Sequence, residues 1–471
     1  MPVASEFDII IIGAGINGAG IARDAAMRGL KVLLLDKGDI ASGTSSASTR
    51  LIHGGLRYLE HFEIGLVRES LRERETLLRI APHLVRPLAI TIPIYNQSKR
   101  GRATIRAGMI AYDLLSWGKS LPRHRMLSRA ETLQQSPGLN QEGLLGSAQY
   151  FDAQVEFAER LVVENALDAR GRGAEVVTYA PVTKVTAEGV EFLLDGAPHF
   201  ARGSVIVNAA GPWVDQLLER APVKSERLIG GTKGSHIVVA PFPGASRSAI
   251  YLEAQSDRRP FFIIPWNGNY LIGTTDVRFE DDPDQVRSEW WEIDYLLAET
   301  NHAFPDAGLK REQILFTYSG VRPLPWTTNE DEQSITRRHF IREHPRMNNL
   351  LSIVGGKLTT YRSLAEECVD LVFRKLDKKS PECRTAQEVL PEPVNYADVV
   401  YSFEHEMAKT LADCFLRRTM RGLSSDLGLG ELEAAVRVLG WGDERAKSEV
   451  ENYRDEIKVY RISGLDRIHR I

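Results

Sequence analysis

The sequence predicts an α/β fold, a parallel sheet joined to a largely antiparallel second domain, with a small helical region after it. Three observations carry this. The run FDIIIIGAG from Phe7 is β-branched and aliphatic until it stops at glycine, as a strand buried on both faces does. Gly13, Gly15 and Gly18 stand in G-x-G-x-x-G spacing and open an Ala-rich helical stretch that stops at Gly29. From residue 228 to 280, alternating runs (SHIVVAPF, SAIYLEA, RPFFIIPW, NYLIGTTD) are parted by turns at Asp257 and Asn267–Gly268, which reads as short antiparallel strands.

The first unit has a physical role for each part. Gly13 permits the tight turn, Gly15 lets backbone approach a pyrophosphate, and Gly18 lets the helix pack close to the strand. The helix N-terminus presents N–H groups and a positive dipole end to phosphates. A second apolar run, KVLLLD, ends in Asp36, an acceptor for the ribose hydroxyls of an adenosine. The motif alone does not separate FAD from NAD.

With 471 residues the chain is long enough for two or three domains and a large core. Its net charge of −4 implies no bulk attraction to nucleic acid. Cys368, Cys383 and Cys414 lack C-x-x-C spacing, which reads as a reduced compartment with neither a disulfide framework nor a metal site. The first apolar run is the nucleotide-binding strand, not a signal peptide, and no stretch has the length to cross a bilayer. The expected location is cytoplasmic, with any membrane contact peripheral.

After Asp36 the loop ASGTSSASTR reads by composition as a flexible linker. LIHGGLRYLEH then gathers His53, a glycine pair, Arg57 and Tyr58, and the pair suggests backbone passing close to something flat or bulky. Residues 62–81 have helical spacing, ended by Pro82, and LAITIPIY alternates like a strand. ATIRAGMIAYDLLSWGKSLPRHRM combines an apolar helical stripe with Lys99, Arg100, Arg102, Arg106, Lys119, Arg123 and Arg125 around it, a composition that can dock on an anionic membrane surface or form a solvated basic face with its apolar side in the core. Residues 151–179 read as a helix stopped by Gly171 and Gly173, followed by the strand EVVTYA. SVIVNAAGPWVDQLL is a buried strand returning to a helix at Gly211–Pro212. A helix follows from about Arg287 to Ala303. LLSIVGGKLTTYRSLAEECVDLVFRKL is a third strand–glycine–helix unit, with Leu358 and Thr359 at its helix start. Residues 380–398 read as a linker, and the remainder as a small all-α appendage.

Four stretches taken together, IIGAGINGAGIARDAAMRGL, TSSASTRLIHGGLRYLEHFE, TYSGVRPL and GGKLTTYR, with KGSHIVV and NAAGPWVD between them, resemble the FAD-dependent glycerol-3-phosphate dehydrogenases of the respiratory type. The resemblance runs from about residue 7 to 375, and the C-terminal segment looks shorter than the family's helical cap. It implies a fold like that of D-amino acid and glycine oxidases. Residues 1–80, 150–218 and 345–378 would form a discontinuous FAD-binding domain. Residues 81–149 and 219–344 would form the substrate domain, and 390–471 the helical one. It also implies FAD as cofactor and oxidation of sn-glycerol 3-phosphate to dihydroxyacetone phosphate by hydride transfer from C2 to flavin N5. Electrons would pass to membrane quinone, in a homodimer peripheral on the cytoplasmic face of the membrane.

Carried over residue by residue, the resemblance assigns FAD contacts to Gly13, Gly15, Ile16, Asn17, Gly18 and Asp36. It assigns further contacts to Ser45, Ser46, Ser48, His53, Gly54 and Val182, and to Ala210, Gly211, Trp213 and Gly356 through Thr359. Arg322 and Arg337 match the phosphate-binding arginines, and Arg57, with Tyr58 beside it, a third cation near the substrate. His236 in KGSHIVV matches an active-site histidine, a base or a substrate hydrogen bonder; His53 is the other candidate base. Lys357 can place charge by the flavin, where it favours hydride acceptance. Two other readings stay open. A glycerol-phosphate oxidase would make hydrogen peroxide, but that branch carries an insertion for which residues 250–330 leave no room. An FAD-binding interaction module without catalysis is the other, opposed by Arg57, His236, Arg322 and Lys357.

Overall fold

Strand Glu6–Ile12 sits inside the first sheet because its isoleucines are covered on both faces. The computed structural model describes residues 6–56, 63–328 and 337–461. Parallel neighbours flank that strand, Ala197–Asn208 on one side and Val32–Leu35 on the other. Met347–Val354 and Glu175–Val177 extend the parallel set. Phe340–His344 adds an antiparallel edge, and the hairpin Val182–Thr186 and Gly189–Leu194 hangs from Ala197–Asn208, giving eight strands.

Three adjacent parallel strands end side by side at Ile12, Asn208 and Val354, and each runs into a turn with a left-handed glycine: Gly13, Gly211 and Gly355. The helix Ile16–Met27 packs between Ala158–Gly171 and Tyr361–Lys375. A Cβ on Gly18 would fall 1.8 Å from the Gly13 carbonyl oxygen, so close packing requires this glycine as the motif predicts.

The second sheet has ten strands and is antiparallel except for one pair, Ala249–Glu253 with Val85–Tyr95. Thr232–Val239 pairs with Asn269–Gly273 and with Ile314–Arg322. A long ladder runs from Val85 opposite Val155 to Tyr95 opposite Leu144. This corrects the reading of residues from 151 as helix: Leu144–Val155 is a strand, and the helix begins at Ala158. Asp152–Val155 continues the ladder with Val85–Leu88, and that pairing outweighs the helix propensity of Ala, Gln and Glu in the same run. Lys357–Thr360 likewise forms a turn, and its helix starts at Tyr361, later than expected.

The C-terminal segment is helical, with Val399–Glu404, Leu432–Leu439 and Asp443–Glu456 around a π-helical turn at Asp413–Arg418. Its Leu411, Phe415, Leu416 and Tyr453 share a core with Trp266 and Phe316 of the second sheet. Among the described residues, no helix is long and apolar enough to cross a membrane.

Candidate active site

A cavity of about 960 Å³ opens between the two sheets. The first sheet supplies the turn Gly356–Thr359, and the second supplies His236, Thr274, Asp276 and Arg322. His53 and Ser48 come from the crossing segment between them, and Arg337 closes one side.

His236 lies within strand Thr232–Val239 and is 1% exposed. Its ring stacks on Tyr318 of the next strand, with centroids 4.9 Å apart. Nε2 is 2.9 Å from the Thr49 hydroxyl, and Nδ1 has no hydrogen-bond partner among the described residues. Burial, then the charges of Arg322 and Arg50, holds the imidazole well below its usual pKa, so it is neutral at pH 7 and can take a proton. Burial also lowers His53, whose backbone N–H donates to the Thr359 hydroxyl at 3.2 Å and so ties its loop to the Gly356–Thr359 turn.

Arg322 ends strand Ile314–Arg322 with its guanidinium along the cavity wall. Nη1 donates to Asp276 Oδ1 at 2.9 Å, and Nη2 to the Thr274 hydroxyl at 3.0 Å. Arg337 Nη2 donates to the other oxygen of the same carboxylate, Asp276 Oδ2, at 3.0 Å. One carboxylate therefore braces two guanidinium groups side by side. Burial works to raise Asp276, but Arg322 and Arg337 outweigh it and hold the carboxyl below its usual value. Arg337 Nη1 is buried without a hydrogen-bond partner among the described residues. Gly234 leaves room for Arg322, since a Cβ there would fall 2.2 Å from Nη2.

Burial depresses Lys357 to about 7; Glu63 and Glu69 oppose the shift and Arg337 adds to it. Near neutral pH this ammonium is poised between charged and neutral forms. Beneath the Ser46–Arg50 loop, Arg50 is fully buried and bidentate to Glu159 at 2.7 and 2.8 Å, with its guanidinium over Trp266.

The glycine loop and its partners gather at the ends of the parallel strands, just past Ile12 and Leu35, the glycine-loop groove of the fold. Ala14 and Gly38 donate backbone N–H groups to the two oxygens of Asp36, at 2.6 and 2.8 Å. Burial pushes the Asp36 carboxyl up against those two donors. Ile16 N–H, at the helix start, donates to the Ser45 hydroxyl at 2.9 Å. Gly13 has φ 108°, and a Cβ on it would come within 2.6 Å of the Ala209 carbonyl oxygen. Asn17 reaches across to the Gly355 carbonyl at 3.4 Å, and Lys37 Nζ lies 4.3 Å from the centre of the Trp213 indole.

The structure thus brings Ser48, His53, His236, Arg322, Arg337 and Gly356–Thr359 to one cavity, and the glycine loop, Asp36, Ser45 and Trp213 to the groove. Ala210 and Gly211 follow the end of strand Ala197–Asn208, with Ala209 and Ala210 against Gly13. Three of the remaining residues also have partners within the protein. Gly54 is needed by the protein's own packing, since a Cβ would fall 2.3 Å from the Tyr112 hydroxyl, and its N–H is engaged by Tyr112 and Asp152. The Val182 carbonyl accepts from Arg220 at 2.5 Å, and the Ser46 hydroxyl donates to the Gly43 carbonyl at 2.8 Å. Arg57 and Tyr58 lie outside the described residues. Sequence reasoning missed Asp276, Thr49 and the Arg50–Glu159 pair. The only signal for Asp276 was its place just past an alternating run, in LIGTTD.

A glycine-loop sheet facing a cavity with paired arginines and a neutral histidine defines a dinucleotide-dependent oxidoreductase site for a small anion. The comparisons narrow it. Residues 8–366 match the model of the FAD dependent oxidoreductase family. A glycerol-3-phosphate dehydrogenase from Synechocystis is 44% identical, over 96% of this chain and 96% of its own. An aerobic glycerol-3-phosphate dehydrogenase from Staphylococcus haemolyticus is 36% identical, over 84% of this chain and 72% of its own. Among solved structures, the glycerol-3-phosphate dehydrogenase of Bacillus halodurans complexed with FAD superposes with a TM-score of 0.78 at 28% identity, covering 99% of this chain and 96% of that one. Glycine oxidase from Geobacillus kaustophilus shares the fold at a TM-score of 0.57 and 22% identity, covering 83% of this chain and 100% of that one. The chain belongs to the FAD-dependent oxidoreductase family, in its glycerol-3-phosphate dehydrogenase branch.

The residues present fit FAD. The buried polar atoms Asn17 Oδ1 and Trp213 Nε1 have no hydrogen-bond partners among the described residues. Gly13 and Gly356 are left-handed, and a Cβ on either would press on the residues around this site, Ala209 and Asn17.

Proposed function

We propose that this chain oxidises sn-glycerol 3-phosphate to dihydroxyacetone phosphate with FAD and delivers the electrons to a quinone at a membrane surface. The observation that carries the substrate is the Arg322–Asp276–Arg337 brace, which presents two guanidinium groups to one dianion beside a neutral histidine. Arg322 and Arg337 hold the phosphate, and Arg57 is assigned as a third cation near the substrate. This fixes the secondary alcohol within reach of His236, whose bare ring nitrogen takes the hydroxyl proton as the C2–H bond breaks. FAD, held by the glycine loop, Asp36, Ser45 and the Gly356–Thr359 turn, supplies the acceptor for the C2 hydride. The charge of Lys357 beside the reacting centre favours that transfer.

The membrane reading rests on the helix Arg102–Leu115. It buries Met109 and Tyr112 but exposes Ile110 and Leu114, with Trp117 just beyond its end at 70% exposure. Arg102, Arg106 and Arg123 are exposed around it, and Arg123 stacks on Trp117 at 4.7 Å. Ile105 and Met109 of this helix also line the cavity, with Ile92, Tyr150 and Phe262, so an apolar arm leads from the exposed helix toward the Gly356–Thr359 turn. An apolar acceptor suits that arm.

The test is anaerobic mixing of the yellow holoprotein with sn-glycerol 3-phosphate while flavin absorbance is followed. Bleaching by this substrate, and not by glycerol or amino acids, is expected. Bound FAD with no bleaching would refute the substrate. Admitting a short-chain quinone or oxygen to the bleached protein then identifies the acceptor, and faster recovery with oxygen would favour the oxidase reading.

A further inference from the structure

Asp39 lies three residues beyond Asp36 and is 1% exposed. Its carboxylate accepts three guanidinium N–H groups from the C-terminal segment: Arg417 Nε at 2.6 Å, and Arg418 Nη1 and Nη2 at 2.9 and 2.8 Å. The arginines are themselves fixed. Arg417 Nη2 donates to Asp413 at 2.7 Å, and Arg418 Nε to the Glu406 carbonyl at 2.8 Å. A second tie sits close by. The Tyr179 hydroxyl donates to Asp413 at 2.5 Å, and Lys409 Nζ to the Thr178 carbonyl at 3.0 Å.

Both stretches of chain gripped in this way adjoin Asp36. Ala180 N–H donates to the Asp36 carbonyl at 2.7 Å, and Tyr179 N–H to the Gly38 carbonyl at 2.9 Å. Ala41 N–H donates to the Ala14 carbonyl in the glycine loop at 3.1 Å. A buried ion-pair cluster of this kind adds little net stability over an apolar core of the same shape, but it fixes position sharply, because its geometry is specific and removing one partner is costly.

We propose that the C-terminal segment 409–418 is a positioning element for the adenosine end of the cofactor, with Arg417 and Arg418 acting through Asp39 and Lys409 acting through Thr178. The assignment rests on the FAD reading given above. The ligand recognised is the adenosine diphosphate half; the arginines do not touch it but hold the Asp36–Ala41 loop in its binding shape.

The experiment is calorimetric titration of apoprotein with FAD and, separately, with ADP, which occupies only the adenosine half. Arg417→Lys should raise the dissociation constants for FAD and ADP together by about tenfold, ~1.4 kcal/mol. Lys409 is exposed, so Lys409→Ala keeps the test open should the buried change unfold the chain; it should weaken both ligands by roughly threefold, ~0.6 kcal/mol. Unchanged FAD affinity in the folded variants overturns the assignment. So does weaker FAD binding with unaltered ADP binding, which would place the loss elsewhere in the groove. Wild-type protein that binds no FAD would sink the reading of the groove itself; wild-type binding with indifferent variants sinks this assignment alone.

Discussion

Replacing Arg322 with Gln removes one of the two guanidinium groups braced by Asp276 and keeps a polar side chain that still fits beside Gly234. A charge-assisted contact to phosphate is worth about 1.5–3 kcal/mol. The predicted rise in KM for sn-glycerol 3-phosphate is therefore ~10- to 100-fold. A second consequence has a definite sign. After burial, the Arg322 charge is the largest influence holding His236 low, so its loss lets the imidazole pKa rise. A base must be unprotonated, so the acid limb of the kcat/KM profile should move to higher pH. The assay is steady-state dehydrogenation with a water-soluble dye acceptor across pH, with the visible flavin spectrum checked to show that FAD stays bound. A KM within about threefold of wild type, with the acid limb unmoved, would refute both the phosphate role and the electrostatic coupling.

Other expectations concern separate parts of the site. Asp276→Asn removes the carboxylate charge shared by Arg322 and Arg337, and KM should rise by about tenfold as the two guanidinium groups lose their common anchor; a falling KM would show that the carboxylate only competes with substrate. Lys357, with its pKa lowered from 10.5 to about 7, binds fewer protons folded than unfolded between those values, so its contribution to stability is full above 10.5 and is lost as pH falls through 7. Apoprotein melting compared with Lys357→Met should show this pH slope in wild type alone. Gly13→Ala, with its Cβ against Ala209 and a left-handed φ, should yield folded protein without the flavin spectrum. Leu114→Asp with Trp117→Ser should abolish sedimentation with anionic vesicles while dye-linked turnover persists, and retained vesicle binding would remove the helix from the membrane reading.

Local pattern explains what was legible. The strand–glycine–helix returns at Gly13, Gly211 and Gly355 are short-range signals, and each turn appears where its residues indicate, though the third helix starts later, at Tyr361. The strand Leu144–Val155 was half hidden because no breaker parts it from the helix at Ala158 and its ladder partner lies far back, at Val85–Tyr95. Gly54 reads as backbone passing close to something flat or bulky, and what it passes is Tyr112 with Leu71, residues that no local pattern links to it. Asp39 meets Arg417 and Arg418 across 378 and 379 positions of sequence, and charges that far apart leave no periodic trace. Asp276 was invisible as a brace for the same reason, because its meaning depends on two arginines from other elements.

The order of the strands also sets a timetable for synthesis. The glycine loop emerges almost first, but its strand Glu6–Ile12 pairs with Ala197–Asn208, which in turn awaits Met347–Val354. At about 5–20 residues per second, roughly 20–70 s pass between the making of the loop and the completion of the sheet that shapes it. During that interval a fold-ready aliphatic strand has no parallel partner on one side, and the nascent chain is a client for whatever shields such edges. Cofactor capture accordingly waits until most of the chain has been made.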